Sequence, residues 1–305
     1  MVLAIRRLMG LRVKGETEAE VAGVVQAMRG AMVRINADRP EDLVDTCGTG
    51  GGTVHTFNIS TAAALLAAGM GVRIAKHGNR SFTTQCGSAD VLEALGIKIE
   101  VGVDVMERAL ATAGIVFMFA PLMHPAMKHV GPVRRELMIP TVMNVVGPLA
   151  NPAMAGRQVI GVAEDRRVPL LAGALRSLGT RHAMVVHGTG MDEISPLAPT
   201  HVVEIRDDRT SEWSIDPATF GYADLSATDL VGGMPDSNAA TILVALRGES
   251  NRAVRGALVL NAGAALYVAG KAATFGEGVA AAEEGVDSRA GIAGLERLRA
   301  AYTAG

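Results

Sequence analysis

The run Gly48-Thr49-Gly50-Gly51-Gly52 places four glycines in five positions. Such a backbone can adopt positive φ and bring bare N–H groups against an anion. It matches neither common nucleotide motif: a Rossmann turn needs glycine at Thr53, and a P-loop needs a Lys-Ser/Thr pair after the last glycine. Alone, a loop of this kind is as often a plain tight turn. The continuation Thr56-Phe57-Asn58-Ile59-Ser60-Thr61 sets hydroxyl and amide side chains at the first turn of a helix, where they cap it or hold a phosphate. Simple capping accounts for one such residue and not for the cluster.

A second cluster, Lys76-His77-Gly78-Asn79-Arg80-Ser81, is followed by Thr83, Thr84 and Gly87-Ser88-Ala89-Asp90. Lys76 at a strand end meets a phosphate as a compact charge, and hydroxyls of the loop line the remaining oxygens. The bland alternatives are a solvated surface lysine and, for Ser88, an N-cap of the helix after it. His77 taken alone is more often a packed histidine than a base. Asp192-Glu193 follows an apolar run and the turn His187-Gly188-Thr189-Gly190. Adjacent carboxylates point apart, so beside a diphosphate they suit Mg²⁺ held partly through water. Without such a neighbour they are a solvated loop.

The elements that must position these residues follow from periodicity. Thr17 with Glu20 forms a capping box, and Val21, Val24, Val25 and Met28 then recur at helical spacing. Strands are expected at 43–46, 72–75, 97–99, 115–119, 159–163, 183–186 and 201–205, and helices at 58–69, 89–95, 105–113 and 168–178. That alternation predicts an α/β fold with a mostly parallel sheet flanked by helices. Residues 124–152 are rich in proline with helical pieces and no clear strand, and read as part of a small all-helical lobe and a hinge. The tail, 238–301, is Ala-rich and helical. The expected division is a small helical domain, 1–38 with about 125–155, against a large α/β domain, 39–124 with 156–305.

Composition narrows the function classes. Apolar residues make up 49% of the 305 and aromatics 3%, so the interior is built from close-packed Ala, Val, Leu, Ile and Met. A net charge of -2 without long runs of one sign argues against a nucleic-acid or membrane-surface protein. Cys47 and Cys86 lack metal-ligand spacing and fit a reducing cytoplasm as small packed residues. The stretch 256–270 is broken by Asn261 and glycines and does not read as a membrane span.

Taken together, GTGGG...TFNIST, KHGNRS, GSADVLEALG, FAPLMHPAMKHVGPVRRELMIPTVMNVVGPLANP and MDEISP resemble the anthranilate phosphoribosyltransferases, from about Lys14 onward. The resemblance implies a homodimer that moves a phosphoribosyl group from phosphoribosyl diphosphate to the amine of anthranilate. It implies that Gly48, Gly51, Gly52, Thr56, Asn58, Ile59, Ser60, Thr61, Lys76, His77, Gly78, Asn79 and Ser88 bind phosphoribosyl diphosphate. Anthranilate is implied near Gly48, His77, Asn79, His124, Arg134 and Gly147, where the guanidinium fork of Arg134 matches a carboxylate. Ser60 with Asp192 and Glu193 is implied to hold Mg²⁺. No acid/base pair is expected, because an aromatic amine already carries its lone pair at neutral pH; Lys76 and Arg134 support the transition state.

Two departures from the family pattern stand out. The chain starts later than is usual and is expected to lack a first helical hairpin, and Gly52 stands where the family often has an aspartate. The alternatives are a pyrimidine nucleoside phosphorylase-like enzyme, disfavoured by Arg134 with the paired acids, a paralogue binding nucleic acid, disfavoured by the charge, and a catalytically weakened relative.

Overall fold

The computed structural model describes residues 2–81 and 85–303, so Thr83 and Thr84 lie outside the described residues. Helices α1 (Val2–Lys14) and α2 (Glu18–Ala31) come first. The capping box forms as expected: the Thr17 hydroxyl accepts from the Glu20 N–H at 3.3 Å, and the Glu20 carboxylate accepts from the Thr17 N–H at 3.0 Å. Next are β1 (Val44–Gly48), α3 (Ile59–Gly69), β2 (Ile74–Gly78), α4 (Ser88–Ala94), α5 (Val103–Ala113) and β3 (Ile115–Phe119). Helices α6 (Ala120–Met123) and α7 (Met127–Leu137) precede β4 (Arg157–Gly161), α8 (Val168–Ser177), β5 (His182–Gly188), β6 (Thr200–Arg206) and β7 (Arg209–Ile215). Four helices, α9 (Pro235–Leu246), α10 (Arg252–Val268), α11 (Phe275–Asp287) and α12 (Ala290–Thr303), end the chain.

The strands form one sheet in the order β3-β2-β1-β4-β5-β6-β7, parallel from β1 to β5 and antiparallel at β6 and β7. From β1 the chain builds outward to β2 and β3, then returns to add β4 on the other side. Order therefore reverses between β1 and β4, and in open α/β sheets the crevice beyond the carboxyl ends at such a point takes the ligand. Gly48, Gly78, Gly161 and Gly188 end their strands along this edge.

Packing explains both the pattern and its misreadings. Along β4, Val159 joins one apolar cluster, with α3, α5, α10 and α12, while Ile160 joins another, with α1, α2, α7 and α8. Covered on both faces, these strands bury polar residues as well as apolar ones, Asp45 and Thr46 in β1, Lys76 and His77 in β2 and Gln158 in β4, so polarity does not mark their ends. The expected strands at 43–46, 72–75 and 159–163 accordingly begin and end one to three residues away from the limits of β1, β2 and β4. The strand expected at 97–99 is absent. Its alternation is real, since Ile97 and Ile99 are buried, but they anchor the link between α4 and α5 with no strand beside them. Strand β7 escaped the reading because it is an exposed edge of charged and hydroxyl residues, recruited by a tight turn at Asp207 and Asp208, both at positive φ. Ala-rich helices meet closely: a Cβ on Gly263 of α10 would stand 2.8 Å from the Val279 nitrogen of α11.

Candidate functional site

At the switch point β1 runs straight into the glycine loop, with Gly50 and Gly51 at φ of 74° and 89°. The Thr49 N–H donates to the Gly161 carbonyl at 2.9 Å and the Gly50 N–H to Asp192 Oδ2 at 2.7 Å. The loop N–H groups are therefore not all bare, as the sequence had suggested; among the described residues those of Gly51 and Gly52 have no partner. The side-chain-free positions have a packing reason too. A Cβ on Gly48 would fall 2.1 Å from Asp192 Oδ2, and one on Gly52 2.8 Å from the Gly190 carbonyl oxygen. Backbone of the acid-bearing turn thus fills the space where any larger residue at Gly52 would begin.

The helix start of α3 holds the other acid. The Ser60 N–H donates to Glu193 Oε1 at 3.1 Å, where N-terminal N–H groups and the helix dipole favour a negative charge. Ser60 Oγ accepts from Lys76 Nζ at 3.2 Å, and the same ammonium donates to the Thr46 carbonyl at 2.5 Å. Lys76 is 2% exposed, so it is neither a surface lysine nor directed into solvent. Asp45, completely buried one strand over, accepts from the His77 N–H at 3.2 Å and from Asn151 Nδ2 at 2.7 Å.

These charges shape each other. Burial pushes the Glu193 carboxyl up to about 8, with the Asp192 charge adding to it and Lys76 and the Ser60 N–H opposing. Burial also raises Asp192, against the Gly50 N–H. Asp45 is pushed up to about 6 by burial, and Lys76 and Asn151 pull it back. Lys76 is lowered by burial, while Asp45, Cys47 and Glu193 hold it up. One ammonium therefore sits among three buried or half-buried carboxyls whose ionisation burial opposes and a divalent cation would favour. Among the described residues no group of three or more His, Cys, Asp or Glu converges on one point. Two carboxylates and the remaining lone pair of the Ser60 hydroxyl fit a hard cation that completes its shell with water and phosphate, as Mg²⁺ does.

A second group adjoins the first through β2. The rings of His77 and His124 meet at a tilt of 56° with centroids 4.9 Å apart, and the Nε2 atoms of both are buried without a partner. Burial, then the neighbouring His124, lowers His77 to about 3, against the Gly147 carbonyl, which accepts a hydrogen bond from the ring. His124 is lowered by burial against the Ala150 carbonyl. Burial thus favours the neutral form of both rings, each of which keeps one buried, unsatisfied nitrogen.

The remaining candidates fall into place around these groups. Asn79 accepts from Ser88 Oγ at 3.3 Å through its carbonyl, which fastens the loop after Gly78 to α4. Gly87, not Ser88, is the N-cap residue of α4. Asn58 precedes α3 without capping it: its amide donates to the Cys86 carbonyl at 3.2 Å and accepts from Asn238 Nδ2 at 3.0 Å. Thr56 bridges to Val231, Ile59 lies in the core, and the buried Thr61 Oγ1 has no partner. Arg134, half-buried on α7, is not drawn into these contacts; among the described residues its guanidinium has no hydrogen bond or ion pair, and burial lowers its pKa.

Three positioning residues were missed. Asp45 and Asn151 tie β1 to β2, since Asn151 Nδ2 also donates to the Ala75 carbonyl at 2.8 Å. Asn261, noted in the sequence only as an interruption of an apolar stretch, clasps the acid-bearing turn from α10. Its Oδ1 accepts from the Ile194 N–H at 3.0 Å and its Nδ2 donates to the Ile194 carbonyl at 2.9 Å. A lone amide in an apolar helix was the signal available for it. Replacing it, Asn261→Ala, leaves both Ile194 groups unpaired; a loss of about 1–3 kcal/mol in urea unfolding is expected. Unchanged stability would show that the clasp contributes nothing.

Residues 40–292 match the model of the glycosyl transferase family, a/b domain. Anthranilate phosphoribosyltransferase of Rubrobacter xylanophilus is 50% identical over 292 residues, which cover 95% of this chain and 85% of that one. The enzyme of that name from Methanococcoides burtonii is 47% identical, over 95% of this chain and 82% of its own. Among solved structures, the anthranilate phosphoribosyltransferase of Thermus thermophilus superposes with a TM-score of 0.93 at 40% identity, covering 99% of this chain and 90% of that one. The Saccharomyces cerevisiae enzyme, solved in complex with PRPP and Mg, does so with a TM-score of 0.87 at 27% identity, covering 97% and 84%. With nearly its whole length matched by these relatives, at up to 50% identity and with a TM-score of 0.93, the chain belongs to the anthranilate phosphoribosyltransferase family.

Proposed function

We propose that this chain transfers the 5-phosphoribosyl group from phosphoribosyl diphosphate to the amine of anthranilate, releasing diphosphate, as a step of tryptophan biosynthesis. The observation that carries this reading is the meeting of Asp192 and Glu193 with the Gly50 and Ser60 N–H groups at the switch point. Donors suited to phosphate and carboxylates suited to a cation share one wall there.

In this reading the glycine loop, the α3 start and the Asn79–Ser88 contact cradle the diphosphate and ribose phosphate. Asp192, Glu193 and the Ser60 hydroxyl would hold Mg²⁺, which when bound neutralises charge on the departing diphosphate. Lys76 orients Ser60 and balances the acids rather than touching the substrate. The neutral His77 and His124 wall the acceptor pocket with Gly147, and the unpaired guanidinium of Arg134 takes the anthranilate carboxylate. No residue has to remove a proton before attack, so the rate comes from alignment and from N–H groups aimed at the developing charge.

The division into a helical lobe, 1–38 with about 125–155, and an α/β lobe belongs to the same proposal. The joint apolar packing of α1, α2 and α7 supports it, and that cluster also takes in α8 and one sheet face. A homodimer is proposed too: Leu3, Val13 and Met138 are exposed apolar side chains that a second copy would cover. A cytoplasmic location is proposed as well, supported by the free thiol of Cys47; no described helix is long and apolar enough to cross a membrane.

Arg134→Ala tests the acceptor assignment. Losing a charge-assisted bond of about 1.5–3 kcal/mol is expected to raise the KM for anthranilate by roughly 10- to 100-fold, with that for phosphoribosyl diphosphate nearly unchanged. Equal rises in both would place Arg134 elsewhere in the cleft.

A further inference from the structure

We propose a second anion site at the opposite end of the sheet, formed by Arg157, Arg181 and Arg206, that takes a small dianionic oxyanion of the phosphate class. Arg157 opens β4 and pairs directly with His182 at the start of β5, which pairs with Arg206 at the end of β6. Residues in direct cross-strand register share a face, so the three side chains stand in one row. Arg181, Asp207, Tyr267, Gly270 and Ala272 complete the walls of a cavity of about 150 Å³. That is far more than the roughly 10–15 Å³ a single water requires. At about 3.3 Å per residue, β4 sets the cavity some 13 Å from Gly161 and the cleft.

The charges here are unbalanced. Asp42 serves Arg181 at 3.1 Å and Arg157 at 3.7 Å, and also pairs with Arg39. Arg206 has no carboxylate partner among the described residues and lies over the Tyr267 ring, 6.0 Å from its centroid. Glu204 is already engaged by His182 at 2.8 Å, Tyr267 at 2.8 Å and Trp213 at 3.0 Å. The other acid at the rim is the exposed Asp207. The carbonyl end of α10 also faces this region, and Arg157 offsets it by donating to the Val268 oxygen at 2.5 Å. Even so, Arg157 Nε is buried with no acceptor, and burial and the like charge of Arg181 depress its pKa. A phosphate group supplies what is missing: several oxygens in the geometry that guanidinium forks bind, and more than one negative charge.

Calorimetric titration of the full chain with inorganic phosphate, and separately with ribose 5-phosphate, tests the site. Arg181→Gln with Arg206→Gln is expected to weaken binding at least about tenfold, leaving transferase kcat and KM unchanged. Arg206→Gln alone breaks no ion pair, so it retains the fold and gives part of that loss. Tighter binding of ribose 5-phosphate than of phosphate assigns the ligand as a sugar phosphate, and the reverse assigns the free ion. Phosphate held in the cleft survives these replacements. Equal affinity in wild type and the double variant, or no binding to wild type at millimolar phosphate, overturns the proposal, and neither result bears on the transferase reading.

Discussion

Gly161→Ala should cripple the enzyme. Gly161 closes β4 between β1 and β5, and a Cβ there would lie 1.6 Å from the Asp192 carbonyl oxygen and 2.2 Å from its carbon. Both are backbone atoms of a turn already fastened by Asn261 and by Gly188, so no side-chain rotation relieves the clash. The turn has to move, and Asp192 and Glu193 move with it. Overpacking of this kind costs about 1–3 kcal/mol. Displacing the acids by an ångström is expected to lower kcat on the order of 100-fold. Urea unfolding and steady-state rates measure the two effects. Gly23→Ala is the control: it lies within α2 with nothing within 4 Å of the added Cβ. Removing a helix-interior glycine there should be neutral or stabilising by about 0.5–1 kcal/mol. Wild-type stability and rate in Gly161→Ala would show that the turn yields freely.

Lys76→Met is the second large effect, and it depends on pH. Lys76 lowers the pKa of Asp45 and of Glu193. Removing it leaves buried negative charge without its counterion and the Thr46 carbonyl without its donor, a loss of about 3–5 kcal/mol. The sign with pH follows from linkage. Acids whose folded pKa exceeds the unfolded value stabilise in their protonated form, and that stability is lost as pH rises through the folded pKa. Without the ammonium both folded values rise further above the ordinary 3.8 and 4.5. The deficit of the variant should therefore widen from pH 5 to pH 8, and unfolding curves across that range measure it. A deficit independent of pH would mean that Lys76 acts through packing alone.

Much of the site was legible because it is local. The glycine loop, the α3 start and the loop after Lys76 are each contiguous, and their residue types are rare enough together to mark the chemistry. What was hidden is what folding adds across the sheet. Lys76 was read as a phosphate contact at a strand end; its burial was hidden because it depends on Asp45, Thr46 and Ser60, which lie in other elements. The two carboxylates were read as a metal pair, but not as partners of the Gly50 and Ser60 N–H groups, more than 130 residues away. Asn261 and Asn151 carry no motif; their role exists in the geometry that brings α10 to the turn and β1 to β2. In the fold, β3 was placed to the residue, since it lies between a glycine and a proline. Strand β7 was missed because an exposed edge strand has no apolar alternation to betray it. The 97–99 segment shows the converse, alternation without a strand, because burial sets polarity whether or not a neighbour is there to pair.

Anthranilate is fluorescent, and mixing the pure protein with anthranilate, phosphoribosyl diphosphate and Mg²⁺ is predicted to extinguish that signal at a rate proportional to enzyme. Omitting Mg²⁺, or replacing both Asp192 and Glu193 by Ala, should abolish the loss. Fluorescence that persists with all components present, in protein shown to be folded, would contradict the account.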